Sequence, residues 1–395
     1  MITTSKNIPT SDADLYSDET LRDPWRIYRD IRDIGSVVFL DKINMYAVGR
    51  YAEVKEVLGC PSVFSSGHGV MMNEPMNQAV KGVLLCTDGE EHSAMRRVLM
   101  KPVMPSALRD NLRETVTAHA EALADRLVAQ ASFDAATELA QYLPLTIVSH
   151  AVGLPDEGRE KMLEWAAASF NCIGPMNQRT IESFGTIKEM VGYAMNECVR
   201  GKLKPGGWAE MLHDAADRGE IAMEKASLMA LDYMGPALDT TIFATSSAIW
   251  LFANNPDQWD IVRNNPSIIP NAINEIVRIE SPIQGFSRYS LAEYTLSGTT
   301  IPALSRVITL YGSANRDERK WGDPETFNVR RANAGDHVGF GYGDHACVGM
   351  NLARLEITAV LTALAKRVRR FELGETQRAL INTLRGFSKL EVAVH

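Results

Sequence analysis

Residues 340–349 read Phe-Gly-Tyr-Gly-Asp-His-Ala-Cys-Val-Gly and set one cysteine in a glycine-punctuated loop just ahead of a helix-forming run. The loop is the strongest constraint in the chain, because the backbone N–H groups of a tight turn and the positive end of a following helix stabilise a thiolate. Gly341, Gly343 and Gly349 permit backbone angles, and a close approach to a flat ligand, that side chains would obstruct. A sulfur so placed is suited to holding iron. Taken alone, the loop also fits a small buried cysteine in an ordinary turn.

The spacing Phe-x-x-Gly-x-His-x-Cys-x-Gly resembles the haem-binding loop of the cytochrome P-450 family, the haem-thiolate monooxygenases. The resemblance implies a mainly α fold with a smaller β lobe and haem b, iron protoporphyrin IX, between a long central helix and the cysteine loop. It makes Cys347 the iron ligand and puts Phe340, Gly341, His345 and Gly349 against the haem. A thiolate ligand pushes electron density towards bound dioxygen and favours O–O cleavage.

With 395 residues, 45% of them hydrophobic, the chain can bury a large core. We expect a single domain over residues 1–395, its β-rich lobe drawn from about 35–50, 285–312 and 380–395 and its helical lobe from most of the remainder. A net charge of −8 without a basic block disfavours nucleic acid. Cys60, Cys86, Cys172, Cys198 and Cys347 are scattered and odd in number, which argues against a disulfide framework or a zinc site and for a reducing cytoplasm. Residues 1–20 are polar and no window is apolar enough to span a bilayer, so a cytoplasmic monomer of the bacterial type, free of membrane, is expected.

Short strands are expected on either side of Asp41-Lys42, then helices over 52–58 and from about 91, with a long irregular loop over 65–86 between them. Helical spacing marks residues 108–128, 136–152, 156–170 and 181–200, and Lys202 to Gly207 has linker composition. Residues 222–253 predict a central helix. Strands are expected at 307–311 and 390–394.

Gly235-Pro236 lies inside that central run. Proline in a helix interior removes a hydrogen bond and crowds the preceding turn, so the helix is expected to open there and free backbone acceptors. Asp239 and Thr240 follow, a carboxyl and a hydroxyl suited to relaying protons. The family's oxygen-binding helix reads Ala/Gly-Gly-x-Asp/Glu-Thr; Asp239 and Thr240 match it, whereas Pro236 and Ala237 replace its two small residues. Retention of the acid-alcohol pair favours dioxygen plus electrons over peroxide.

Glu275-Ile276-Val277-Arg278 resembles the family's Glu-x-x-Arg pair, which Arg331 is expected to complete. Haem propionates require cationic or hydrogen-bonding partners. His92 and Arg96, in a stretch from Asp88 to Arg97 that resembles a family motif lacking its prolines here, are expected to supply them, together with Arg288 and His345. His337 is expected to have a structural role.

Among soluble relatives, Gly312 to Asp317, Phe170-Asn171 with Gly174-Pro175, and Asn382 to Gly386 read like the subfamily oxidising para-substituted benzoates. Where that subfamily holds the carboxylate, His68, Leu231, Asp232 and Gly235 stand here. The expected substrate is a small aromatic bearing a neutral, phenolic or cationic group, bounded by those residues with Ala237 and with apolar contacts from Met71, Met72, Phe170 and Phe387. No flavin or iron–sulfur motif follows the haem loop, so a separate ferredoxin and ferredoxin reductase are the expected electron donors, docking on cations such as Arg96 and Arg97. The alternatives are an enzyme that uses peroxide or isomerises without a redox partner, and a haem redox or gas sensor.

Overall fold

The computed structural model describes residues 8–395. A helix over Lys225–Asn254, about 45 Å long at 1.5 Å per residue, runs through the molecule with 19 of its 30 residues buried. Two large apolar clusters form along it. One gathers Phe170, Tyr233, Leu238 and Ile242, the other Leu127, Phe252, Trp259 and Leu361. This burial also corrects the expectation at Pro236: the helix stays unbroken there. A single proline costs about 3 kcal/mol in a helix interior, less than the apolar burial on both sides of it, and the Thr240 hydroxyl donates to the Pro236 carbonyl at 2.8 Å.

The β lobe is a six-stranded sheet in the order Thr10–Ser11, Val38–Leu40, Met45–Val48, Arg306–Leu310, Gly285–Ser290 and Phe64–Ser65. Its first and third contacts are parallel and the rest antiparallel. Opposite Val307, Arg288 is buried in the strand Gly285–Ser290. In a second sheet the strand Phe387–Val394 pairs antiparallel with Phe371–Arg378 on one side and Ser132–Asp134 on the other. The strand Phe371–Arg378 escapes sequence reading because most of it is exposed and polar.

Most predicted helices are present with shifted ends, and three expectations need correction. The region 136–152 forms two wide π-type turns, Ala135–Ala140 and Pro144–Val148, before a short helix. The helix expected from 156 begins at Met162 after a 3-10 turn. The irregular loop over 65–86 contains a helix, Glu74–Ala79, whose N-terminus Asn73 caps by accepting from the Met76 N–H.

The floor of the cysteine loop is a buried ion network. Arg278 donates to both Glu275 oxygens at 2.7 and 2.9 Å, and Arg331 Nε reaches the same carboxylate at 3.0 Å. Arg278 also holds the Asn315 carbonyl at 2.8 Å, while the Asn315 side chain accepts from the Val338 N–H at 2.8 Å. Changing Glu275→Gln leaves two guanidinium groups without a counter-charge, Arg278 being fully buried. Urea unfolding should lose about 3–5 kcal/mol, and an unchanged midpoint would show that the network is dispensable.

Candidate active site

Gly341 and Gly343 adopt left-handed backbone angles, φ 73° and 72°. These turns fold the loop back so that the Cys347 N–H donates to the Phe340 carbonyl at 2.8 Å. The helix Met350–Ala365 starts immediately afterwards. Burial pushes the Cys347 thiol up, while the Gly349 N–H, the Arg96 charge and the Met350 N–H act against it. His337 Nδ1 accepts from the Gly339 N–H at 3.0 Å, a structural contact of the kind expected.

The exposed surface of Cys347 faces a cavity of about 450 Å³ between this loop and the central helix. Phe340, Gly341, His345 and Gly349 surround the sulfur in its wall, and Thr240, Ala237, Gly235, Asp232 and Leu231 enter from the helix. Met71 and Phe170 add apolar surface. Cys172 is the other cysteine in the wall, but its thiol faces the Thr180 carbonyl and burial pushes it up to about 12. Of these two, Cys347 is the one met by N–H donors that favour a thiolate.

Near Cys347 the polar groups match a dianionic ligand. His92 Nε2 is buried with no partner. The His92 and His345 rings lie 4.1 Å apart, and Arg96 and Arg288 enter the same wall. Burial, then the His345 and Arg96 charges, lowers His92 to about 4. An anion there would satisfy the orphaned nitrogen, so His92, Arg96, Arg288 and His345 fit the haem propionates, and Cys347 fits its iron.

Four expected residues lie elsewhere. His68 is exposed, stacked on Tyr289 at 4.9 Å and bonded to Ser65 at 3.1 Å. Met72 is held by the Tyr16 hydroxyl in a separate apolar cluster. Phe387 packs on Trp250 at 5.8 Å in the core of the strand Phe387–Val394. The expectation that these three touch substrate is therefore corrected: strand pairing and loop anchoring turn them away from the wall. Asp239 is buried behind the wall, its Oδ2 without a partner, and burial alone raises it to about 7. Consecutive helix residues point about 100° apart, so Asp239 and Thr240 do not share a face. Arg96 is half-buried in the cavity, which leaves the exposed Arg97 as the surface cation of the pair.

Sequence reading gave Asp88 no role, yet it organises this end. It accepts from Ser65 at 2.6 Å, the Gly67 N–H at 2.8 Å and His345 Nε2 at 3.2 Å. Burial would raise it, but the His345, Ser65 and Gly67 donors overcome this and hold it well below the usual carboxylate range.

A family model for cytochrome P-450 matches residues 208–391. The cytochrome P-450 CYP199A2 of Rhodopseudomonas palustris is 37% identical, over 98% of this chain and 94% of its own length. The chain belongs to the cytochrome P-450 family. Linalool 8-monooxygenase of Pseudomonas putida is 29% identical over 90% of each chain. The crystal structure of the CYP116B5 haem domain of Acinetobacter radioresistens superposes with TM-score 0.86 at 21% identity, covering 97% of both chains. The P-450 fold and a bacterial-type P-450 monooxygenase using haem b, the cofactor that P-450 proteins bind through a cysteine thiolate, are thereby established. Among the described residues, no helix is long and apolar enough to cross a membrane.

Asp88 tests the propionate end of this P-450. Asp88→Asn keeps the shape but removes the charge that orients His345. Haem transfer to apomyoglobin should accelerate about tenfold, the usual cost of losing a group that orients a ligand. An unchanged rate would mean that His345 needs no such support.

Proposed function

We propose that this P-450 inserts one oxygen atom of O2 into a small aromatic molecule, by hydroxylation or O-dealkylation, with electrons from a separate ferredoxin and its reductase. The observation that carries the reading is the cavity: a wall of apolar side chains in which Asp232 is the one carboxyl group among the described residues. Burial raises Asp232 to about 7; once ionised it repels a benzoate anion, whereas a neutral or cationic donor finds an acceptor. Met71, Phe170, Leu231 and Ala237 bound the ring.

Bound haem, ligated by Cys347, supplies the oxidising chemistry, and the chain supplies orientation and protons. His92, Arg96, Arg288 and His345 hold the propionates. Thr240 gives its proton to the Pro236 carbonyl, so the Oγ1 lone pairs are free to accept a hydrogen bond from the cavity. Asp239, raised to about 7 by burial, holds an exchangeable proton near neutrality next to Thr240 in the helix. Next to the cysteine loop the exposed Tyr342 lies 4.6 Å from the Lys55 ammonium, and Arg97 is exposed. These cations favour an acidic partner such as a ferredoxin.

Turnover of 4-methoxyphenol with NADH, ferredoxin and reductase tests the reading against peroxide alone. Product should require the electron donors. In Thr240→Ala, product per NADH should fall as electrons divert to hydrogen peroxide. Equal turnover with peroxide alone would contradict the ferredoxin reading, and unchanged coupling would remove Thr240 from proton delivery.

A further inference from the structure

We infer that the Asp232 end of the cavity is a cation site, built for a primary ammonium group tethered to the aromatic ring opposite the position oxidised. This deepens the proposed function and rests on it. Asp232 Oδ2 is buried without a hydrogen-bond partner, although the residue lies in the cavity wall. Burial alone raises its pKa to about 7 with no neighbouring cation acting against it, and an ammonium group placed beside it would favour the ionised carboxylate. Four residues along the helix stands Pro236, which has no N–H to give the Asp232 carbonyl. The Asp232 main-chain carbonyl is therefore left without its usual donor one turn along, and the Asp232 residue lies in the cavity wall.

Nearby hydroxyl groups do not offset this excess. Ser169 donates to the Trp165 carbonyl at 2.8 Å and Tyr233 to the Leu99 carbonyl at 2.9 Å. Gly235 lets the helix pack closely here: a Cβ there would come within 3.3 Å of Ser169 Oγ. A carboxylate brings no donor to such a place and an alcohol brings one. An ammonium group brings three N–H donors and the opposite charge.

Charge also sets the direction of the substrate. His92, Arg96, Arg288 and His345 are taken up by the propionates of bound haem, which leaves Asp232 as the one carboxyl group in the cavity wall, among the described residues, to attract a cation. Pro236, whose carbonyl holds the Thr240 hydroxyl, lies one turn, about 6 Å, further along the helix. Thr240 itself stands eight residues, about 12 Å, along the helix from Asp232, and an aromatic ring with an aminoalkyl arm lies along that interval.

Spectral titration of the ferric holoenzyme with 4-methoxyphenethylamine, 4-methoxyphenethyl alcohol and 4-methoxybenzoate tests the site. The amine should give a substrate-type spin shift and bind at least about tenfold more tightly than the alcohol, as a charge-assisted hydrogen bond allows. Benzoate should bind most weakly. Asp232→Asn should erase the amine preference, and Pro236→Ala, which restores an N–H to the Asp232 carbonyl, should reduce it while leaving the carboxyl in place. Equal affinity for amine and alcohol, or an amine spectrum of direct nitrogen ligation to iron, would overturn the cation site and leave the proposed function standing. No shift with any of the three would overturn the small-aromatic reading as well.

Discussion

The backbone N–H groups of Gly349 and Met350, at the start of a helix, act on the Cys347 sulfur in favour of its thiolate, and the rest of the architecture serves that placement. The left-handed turns at Gly341 and Gly343 aim the loop. Beneath it, the Glu275–Arg278–Arg331 network grips the Asn315 carbonyl, and the Asn315 side chain grips Val338. A side chain on a loop is thus fixed by buried charge pairs, which tolerate little displacement once desolvated.

Across from the sulfur, the central helix and the Asp88-centred turn give the cavity its two polar ends. Asp88 holds His345 against His92 where a dianionic cofactor needs donors. At the other end stands Asp232, its Oδ2 without a partner. An elongated molecule entering such a cavity has one favourable direction, and orientation of this kind is the protein's share of catalysis when the cofactor performs the oxidation.

The cysteine loop was legible in the sequence because its chemistry is local: glycines, cysteine and helix start lie within a few residues. Glu275 and Arg278 were legible for the same reason, being one helical turn apart. What tertiary context decides was not. Pro236 predicts an opened helix, but burial on both sides of it keeps the helix unbroken. His68, Met72 and Phe387 have the right chemistry for a substrate wall, yet stacking on Tyr289, the Tyr16 contact and strand packing turn them elsewhere. Asp88 stood in a recognised motif, but its role depends on a partner 257 positions away. Asp239 and Thr240 read as a contiguous relay, although helical geometry assigns them different faces.

The central claim is that Cys347 is the thiolate ligand of the haem, and the carbon monoxide difference spectrum of the reduced protein tests it most directly. The account predicts the red-shifted band of a thiolate-ligated carbonyl complex in the wild type and its loss in Cys347→Ala. Persistence of that band in the variant, or an imidazole-type spectrum in the wild type, would contradict it.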